Sequence, residues 1–255
     1  MPANITRFET IVTNILTICT YTEFAPFAYE EHGKIVGSDI LLLEHFAREM
    51  ELSVNIIKKE FAGLWNTPGN GECDIAAAGM MASEDRDLSD GGVWSQSYML
   101  VTRSLLIRRT DADVLIDPDD FTGKKIVVTA ESTAHIDAQE RYEPLGSTII
   151  PVVPSQDEIV RQLLSHEIDA FGEGNVSNQY LADKYVDENG RRLLALADIH
   201  TIGLPEALRF AVRATDKRLL YHLNKFITNQ QTQPTYQAEG TPACIGNCRV
   251  TPRIS

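Results

Sequence analysis

Long apolar runs, basic residues and cysteines are all scarce in this chain of 255 residues. No stretch approaches the roughly 20 consecutive apolar residues that span a bilayer. The opening, MPANITRFETIVTNILTICTY, interrupts its apolar residues with Glu9, Thr10 and Asn14 and ends without a small-residue cleavage site. It is not patterned as an intact signal peptide, which leaves open both a cytoplasmic chain and a mature chain without its leader. Against 36 Asp and Glu stand only 23 Lys and Arg, a formal net charge of -13. That field repels nucleic acid and anionic membranes, and the short pairs Arg108-Arg109 and Lys124-Lys125 are flanked by acids. GxSxG, HExxH and P-loop patterns are missing and the six His are dispersed, which removes the common hydrolase and nucleotidase signatures.

The four cysteines fall into two pairs by context. Cys19 and Cys73 sit in apolar, strand-like surroundings and read as small core residues. Cys244 and Cys248, in PACIGNC, suit a disulfide in an oxidising compartment. A single CxxxC without nearby His supplies too few ligands for a metal, so neither metal nor cofactor is expected.

What the chain has in quantity is alternation of strand and helix. ILTICTY (15–21) reads as a strand, DILLLEHFAREM from Asp39 has apolar residues at helical spacing, and LSVNII (52–57) returns as a strand. This is a βαβ unit with a parallel crossover. FAGLW, a short helical segment, leads through PGNG to the strand beginning at Asp74. After the long run MLVTRSLLIRR the order restarts: KIVVT (125–129) as strand, AEST into the helix HIDAQERY, and TIIPVV as strand. SQDEIVRQLLSH follows as a helix capped by Ser155, and IDAFG (168–172) as strand. Two similar α/β lobes explain this repetition better than one continuous sheet.

The segment DIAAAGMMASEDRDLSDGGVWSQSY stands apart, because a short apolar strand of small residues breaks at Gly79 and empties into a polar loop with Ser83 and Arg86. A guanidinium there offers a planar fork that matches a carboxylate. On this segment alone, the acids Glu84, Asp85 and Asp87 make an exposed Arg86 the simpler reading.

The ordered pieces carry a resemblance. YTEFAPFAYEEHGKIVGSDILLLEHFAREM, FAGLW, CDIAAAGMMASEDR, WSQSYMLV, FTGKKIVVTAEST, IVRQLLSHEIDAFGEG and LRFAVRATDKRLLYHLNKFI follow one another at family spacing. Together they resemble the type II periplasmic solute-binding proteins of ABC transporters, in the branch that binds polar amino acids, over about residues 7–230. The resemblance implies an α/β, two-lobed fold hinged by two crossing strands. The first lobe would comprise 1–106 and 204–255, and the second, 107–203, would be inserted between them. It further implies non-catalytic binding of a small carboxylate-bearing solute in an interlobe cleft, an ABC-transporter membrane component as partner, no nucleic acid, and a periplasmic or extracytoplasmic location.

Site residues follow from the resemblance position by position. Arg86 occupies the place of the carboxylate anchor, Ser83 a hydroxyl position on the same loop, and Gly79 and Met81 supply backbone amides. In the second lobe Ser132 and Thr133 match the small-hydroxyl loop before a helix, where unpaired N–H groups favour an anion; plain N-capping is the compatible, bland reading. Phe24 matches an aromatic that packs on the ligand, with Phe61 or Trp65 as further walls. Glu173 is nearest to the acid that pairs with the ligand's amino group after the last strand, with Asn175 competing. Tyr21 stands where an Asp is common, which weakens that contact or moves it to Glu23.

The same resemblance extends to cyclohexadienyl and arogenate dehydratases, where a carboxylic acid assists loss of hydroxyl and carbon dioxide. Asn178, at the position of that acid, cannot supply a labile proton, so no enzyme is expected. A ligand-sensing module of a receptor is the third reading.

Overall fold

The structure, a computed structural model, describes residues 8–82, 86, 88, 91–153, 155–197 and 205–232. These fall into two compact units. Unit 1 draws its described residues from Met1–Thr22, Phe27–Met99 and Ala207–Thr241, and unit 2 from Glu23–Pro26 and Leu100–Glu206.

Unit 1 is built on five strands in the order Ser53–Lys58, Ile15–Thr20, Ile75–Ala77, Ala211–Arg213, Gly92–Trp94. The first three run parallel, with Ile15 opposite Ser53 and Ile18 opposite Ile75. Ala211–Arg213 returns antiparallel to both of its neighbours. Helix α1, Ser38–Glu49, buries Ile40, Leu43, Phe46 and Ala47, the helical spacing legible in the sequence. Gly37 sets its start: at φ 131° a Cβ would stand 2.2 Å from the Phe27 carbonyl oxygen, so a side chain does not fit. The Asp39 N–H donates to that same carbonyl at 3.0 Å, which draws the first turn inward.

Cys19 and Cys73 are joined in a disulfide, Cα to Cα 5.8 Å, and this corrects their reading as separate core thiols. The reason lies in register: Cys19 is opposite Ala76 in the parallel pair, which brings Cys73, just ahead of that strand, alongside.

Unit 2 repeats the plan with the order Thr148–Val152, Lys125–Thr129, Ala170–Gly174, Arg103–Arg108, Leu194–Leu196. Leu105, Ile107, Ile126, Val128 and Ala170 point to one face, packed with Phe121, Ala138 and Tyr142. Leu106, Val127 and Phe171 point to the other, against Ile159, Val160 and Leu163 of α3 (Gln156–Leu164) and Leu181 of α4 (Asn175–Lys184). Covering both faces explains why KIVVT is apolar throughout its middle rather than alternating. The Ser155 hydroxyl caps α3 as expected, accepting the Glu158 N–H at 3.2 Å.

Two boundaries that bear on the candidate site differ from the sequence reading. Helix α2 spans Thr133–Arg141 and so begins ahead of HIDAQERY, because Ser132 already caps it. The strand read as IDAFG is Ala170–Gly174, since Glu173 and Gly174 pair antiparallel with Ser104 and Arg103. Glu173 therefore lies within the strand rather than after it. Among the described residues no helix is long and apolar enough to cross a membrane.

Candidate functional site

In unit 1 the Arg86 side chain is buried, at 7% exposure, despite its acidic neighbours in sequence. Its guanidinium carbon lies 4.6 Å from the Trp65 ring centroid and 5.2 Å from that of Phe61, and Nη1 donates to the Met81 carbonyl at 2.8 Å. The 3-10 turn Leu64–Asn66 presents Trp65, and Phe61 packs against both Tyr21 and Trp65, with centroids 5.7 and 6.1 Å away. Stacking on aromatic faces suits a guanidinium both electrostatically and sterically. Phe61, expected as a ligand wall, packs here against the Arg86 guanidinium. Ser83 lies outside the described residues.

Gly79 has φ 55° and its N–H donates to the Asp39 carboxylate at 2.7 Å, so in this structure that amide serves unit 1 itself. Met81 enters through its carbonyl, and forms a bridge to Leu208. Asp39, read from the sequence only as the opening of α1, is 1% exposed and also accepts the Tyr98 hydroxyl at 2.8 Å. Its Oδ1 has no hydrogen-bond partner among the described residues. Burial pushes this carboxyl up to about 7, against the pull of the Gly79 and Tyr98 hydrogen bonds. Burial likewise pushes the Tyr98 phenol up, and the charge of Asp39 adds to it.

In unit 2 Ser132 is the N-cap of α2: its Oγ accepts the His135 N–H at 3.1 Å and donates to the Thr129 carbonyl at 2.7 Å. The Thr133 hydroxyl accepts from Arg103 Nη2. Glu173, 3% exposed, takes the Gly174 N–H at 3.0 Å and the Thr129 hydroxyl at 3.3 Å, and stands 3.6 Å from Arg103 Nη1. The structure therefore brings Thr133 and Glu173 together around Arg103, a residue that the sequence showed only as part of the run MLVTRSLLIRR. Nothing in the local pattern around Arg103 marked it.

Glu23 and Phe24 belong to the segment Glu23–Pro26, which groups with unit 2. There Gln156 clasps Ala25 by both backbone groups, accepting its N–H at 3.0 Å and donating to its carbonyl at 3.1 Å, and Ser177 donates to the same oxygen at 2.8 Å. Phe24 is buried and Glu23 half-buried. Asn175, the competitor of Glu173, accepts the Thr102 N–H at 3.0 Å through its side chain. Among the described residues no group of three His, Cys, Asp or Glu is arranged to hold a metal.

Comparison with known proteins agrees with this architecture. A probable amino-acid-binding protein of Bacillus subtilis is 22% identical over 62% of this chain and 58% of its own length. A probable histidine-binding protein of Campylobacter jejuni is 27% identical over 47% of this chain and 46% of its own, so the matches span only about half of these curated relatives. Among solved structures, an amino acid ABC transporter substrate-binding protein of Streptococcus pneumoniae bound to L-arginine superposes with a TM-score of 0.74 at 22% identity, covering 86% of this chain and 89% of that one. That likeness shows the mixed α/β, two-lobed periplasmic-binding-protein fold. The family model for bacterial extracellular solute-binding proteins, family 3, matches residues 16–239. Nearly the whole α/β core falls inside that match, and the chain belongs to the bacterial extracellular solute-binding proteins, family 3.

Proposed function

We propose that the chain is a non-catalytic binder of an amino acid or close derivative, working outside the cytoplasm and handing its ligand to the membrane component of an ABC transporter. Arg86 carries this reading. Its fork is held over Trp65 and Phe61 and pinned at Nη1, so it is oriented before a ligand arrives and little side-chain freedom is lost on binding. A carboxylate matches that fork. Thr133, at the start of α2, adds a hydroxyl beside helix amides that favour the same charge, and Glu173 is assigned to the ligand's ammonium group. The names of the curated relatives and the L-arginine of the pneumococcal structure support an amino acid as ligand. The Cys19–Cys73 disulfide supports an oxidising compartment.

The non-catalytic part rests on Asn178, fully buried, whose amide nitrogen donates to the Ser104 hydroxyl at 2.9 Å. An amide there has no labile proton for a departing hydroxyl. A thermal-shift panel of amino acids, dicarboxylates, polyamines and prephenate tests the reading. A true ligand at a hundred times its Kd adds about 2.7 kcal/mol to stability. Stabilisation by one or more amino acids is expected; stabilisation by polyamines alone, or turnover of prephenate, would overturn it.

A further inference from the structure

Unit 2 gathers two carboxylates and a hydroxyl on one guanidinium. Arg103 grips the Glu206 carboxylate with Nε and Nη2, each at 2.6 Å, while Nη2 also donates to the Thr133 hydroxyl and Nη1 faces Glu173 Oε1 at 3.6 Å. Arg103 stands opposite Gly174 in the antiparallel pair, a residue without a side chain, and Glu173 is the next position along. The Arg103 side chain is 11% exposed and that of Glu173 3%, so the geometry is screened little by water. Glu206, 30% exposed, bonds to Arg103 and to neither Thr133 nor Glu173.

We propose that Arg103 is the positioning residue of the unit 2 binding surface: clamped by Glu206, it fixes both the Thr133 hydroxyl and the Glu173 carboxylate in the orientation that meets the ligand. The proposal rests on the assignment of Thr133 and Glu173 as ligand contacts. A bidentate Arg–carboxylate pair sets the plane of the guanidinium, and the nitrogens left facing inward then dictate where an oxygen of each neighbour can sit. Lysine, a single point charge, cannot hold three partners in that plane. Glu206 thus acts on the binding surface at second remove, through Arg103 alone.

Two readouts on the whole protein test this. The first needs no ligand: amide resonances of Gly174, which donates to Glu173, and of Thr133, recorded for the parent, Arg103→Met and the milder Glu206→Gln. Both substitutions should move both resonances; if they stay in place in Arg103→Met, or move there but not in Glu206→Gln, the proposed network is wrong. The second uses L-arginine and its des-amino analogue 5-guanidinopentanoate as calorimetric probes. Arg103→Met should weaken L-arginine about tenfold and the analogue, which keeps the carboxylate met by Thr133 but lacks the ammonium met by Glu173, only about threefold, with Arg103→Lys in between. Equal weakening of both probes would mean general loosening and would overturn the positioning role. Resonances that move in both variants, with a parent that binds neither probe nor any other amino acid, would uphold the network and sink the amino-acid reading instead.

Discussion

The Tyr98 hydroxyl donates to the Asp39 carboxylate at 2.8 Å in a place where both side chains are almost sealed from solvent. A carboxyl whose folded pKa is about 7, against an ordinary value of 3.8, holds its proton more tightly in the folded chain. Its contribution to stability is therefore full below about pH 4 and is lost as the pH rises toward about 7, on the order of a few kcal/mol. Asp39→Asn keeps an acceptor for the phenol and the Gly79 amide but does not titrate. Urea midpoints measured across that window should fall less with pH in the variant than in the parent, and parallel profiles would exclude Asp39 as the source.

Arg86→Ala should weaken binding of the best amino acid from the ligand panel by about a hundredfold, equivalent to about 2.7 kcal/mol. Arg86→Lys keeps the charge but loses the fork and should fall between. Calorimetry reads both, with circular dichroism showing that each variant is folded; unchanged affinity in Arg86→Ala would refute the anchor.

Ser132 and Thr133 are adjacent, yet different losses are expected of them. Ser132→Ala removes the hydroxyl that accepts the His135 N–H and should lower stability by about 1 kcal/mol while leaving affinity nearly unchanged. Thr133→Ala should do the reverse. Denaturation and calorimetry on the two variants separate capping from ligand contact.

The disulfide joins positions separated by 54 residues, and on the chain-entropy relation such a crosslink adds about 4 kcal/mol. The double variant Cys19→Ala, Cys73→Ala should unfold at lower urea by about 2–4 kcal/mol. A thiol reductant should produce the same loss in the parent and no further loss in the variant.

Local patterns were the legible part of this chain. KIVVT, the Ser155 cap and the α1 spacing each depend on residues within one turn or strand of one another, so short windows of sequence contain them. Arg86 was legible only through the order of segments, because its acidic neighbours make it look exposed while Trp65 and Phe61, about twenty positions earlier, pack against its guanidinium. Asp39 was visible as a first-turn acid, but the left-handed Gly37 that turns it inward is a backbone fact. The register of Glu173 and its meeting with Arg103 are fixed by pairing between strands about seventy positions apart, and Arg103 meets Glu206 across 103 positions. No window of sequence spans such partners, and the same is true of Cys19 and Cys73.

The bond between Cys19 and Cys73 also makes a covalent ring of the chain between them, and that ring encloses all of α1 together with Phe61 and Trp65. A protease that cuts once anywhere in 20–72 would open the ring without releasing a fragment. The nicked chain would run at full length on a gel until it is reduced, and the aromatic platform beneath Arg86 would stay attached through whichever arm of the opened ring carries it.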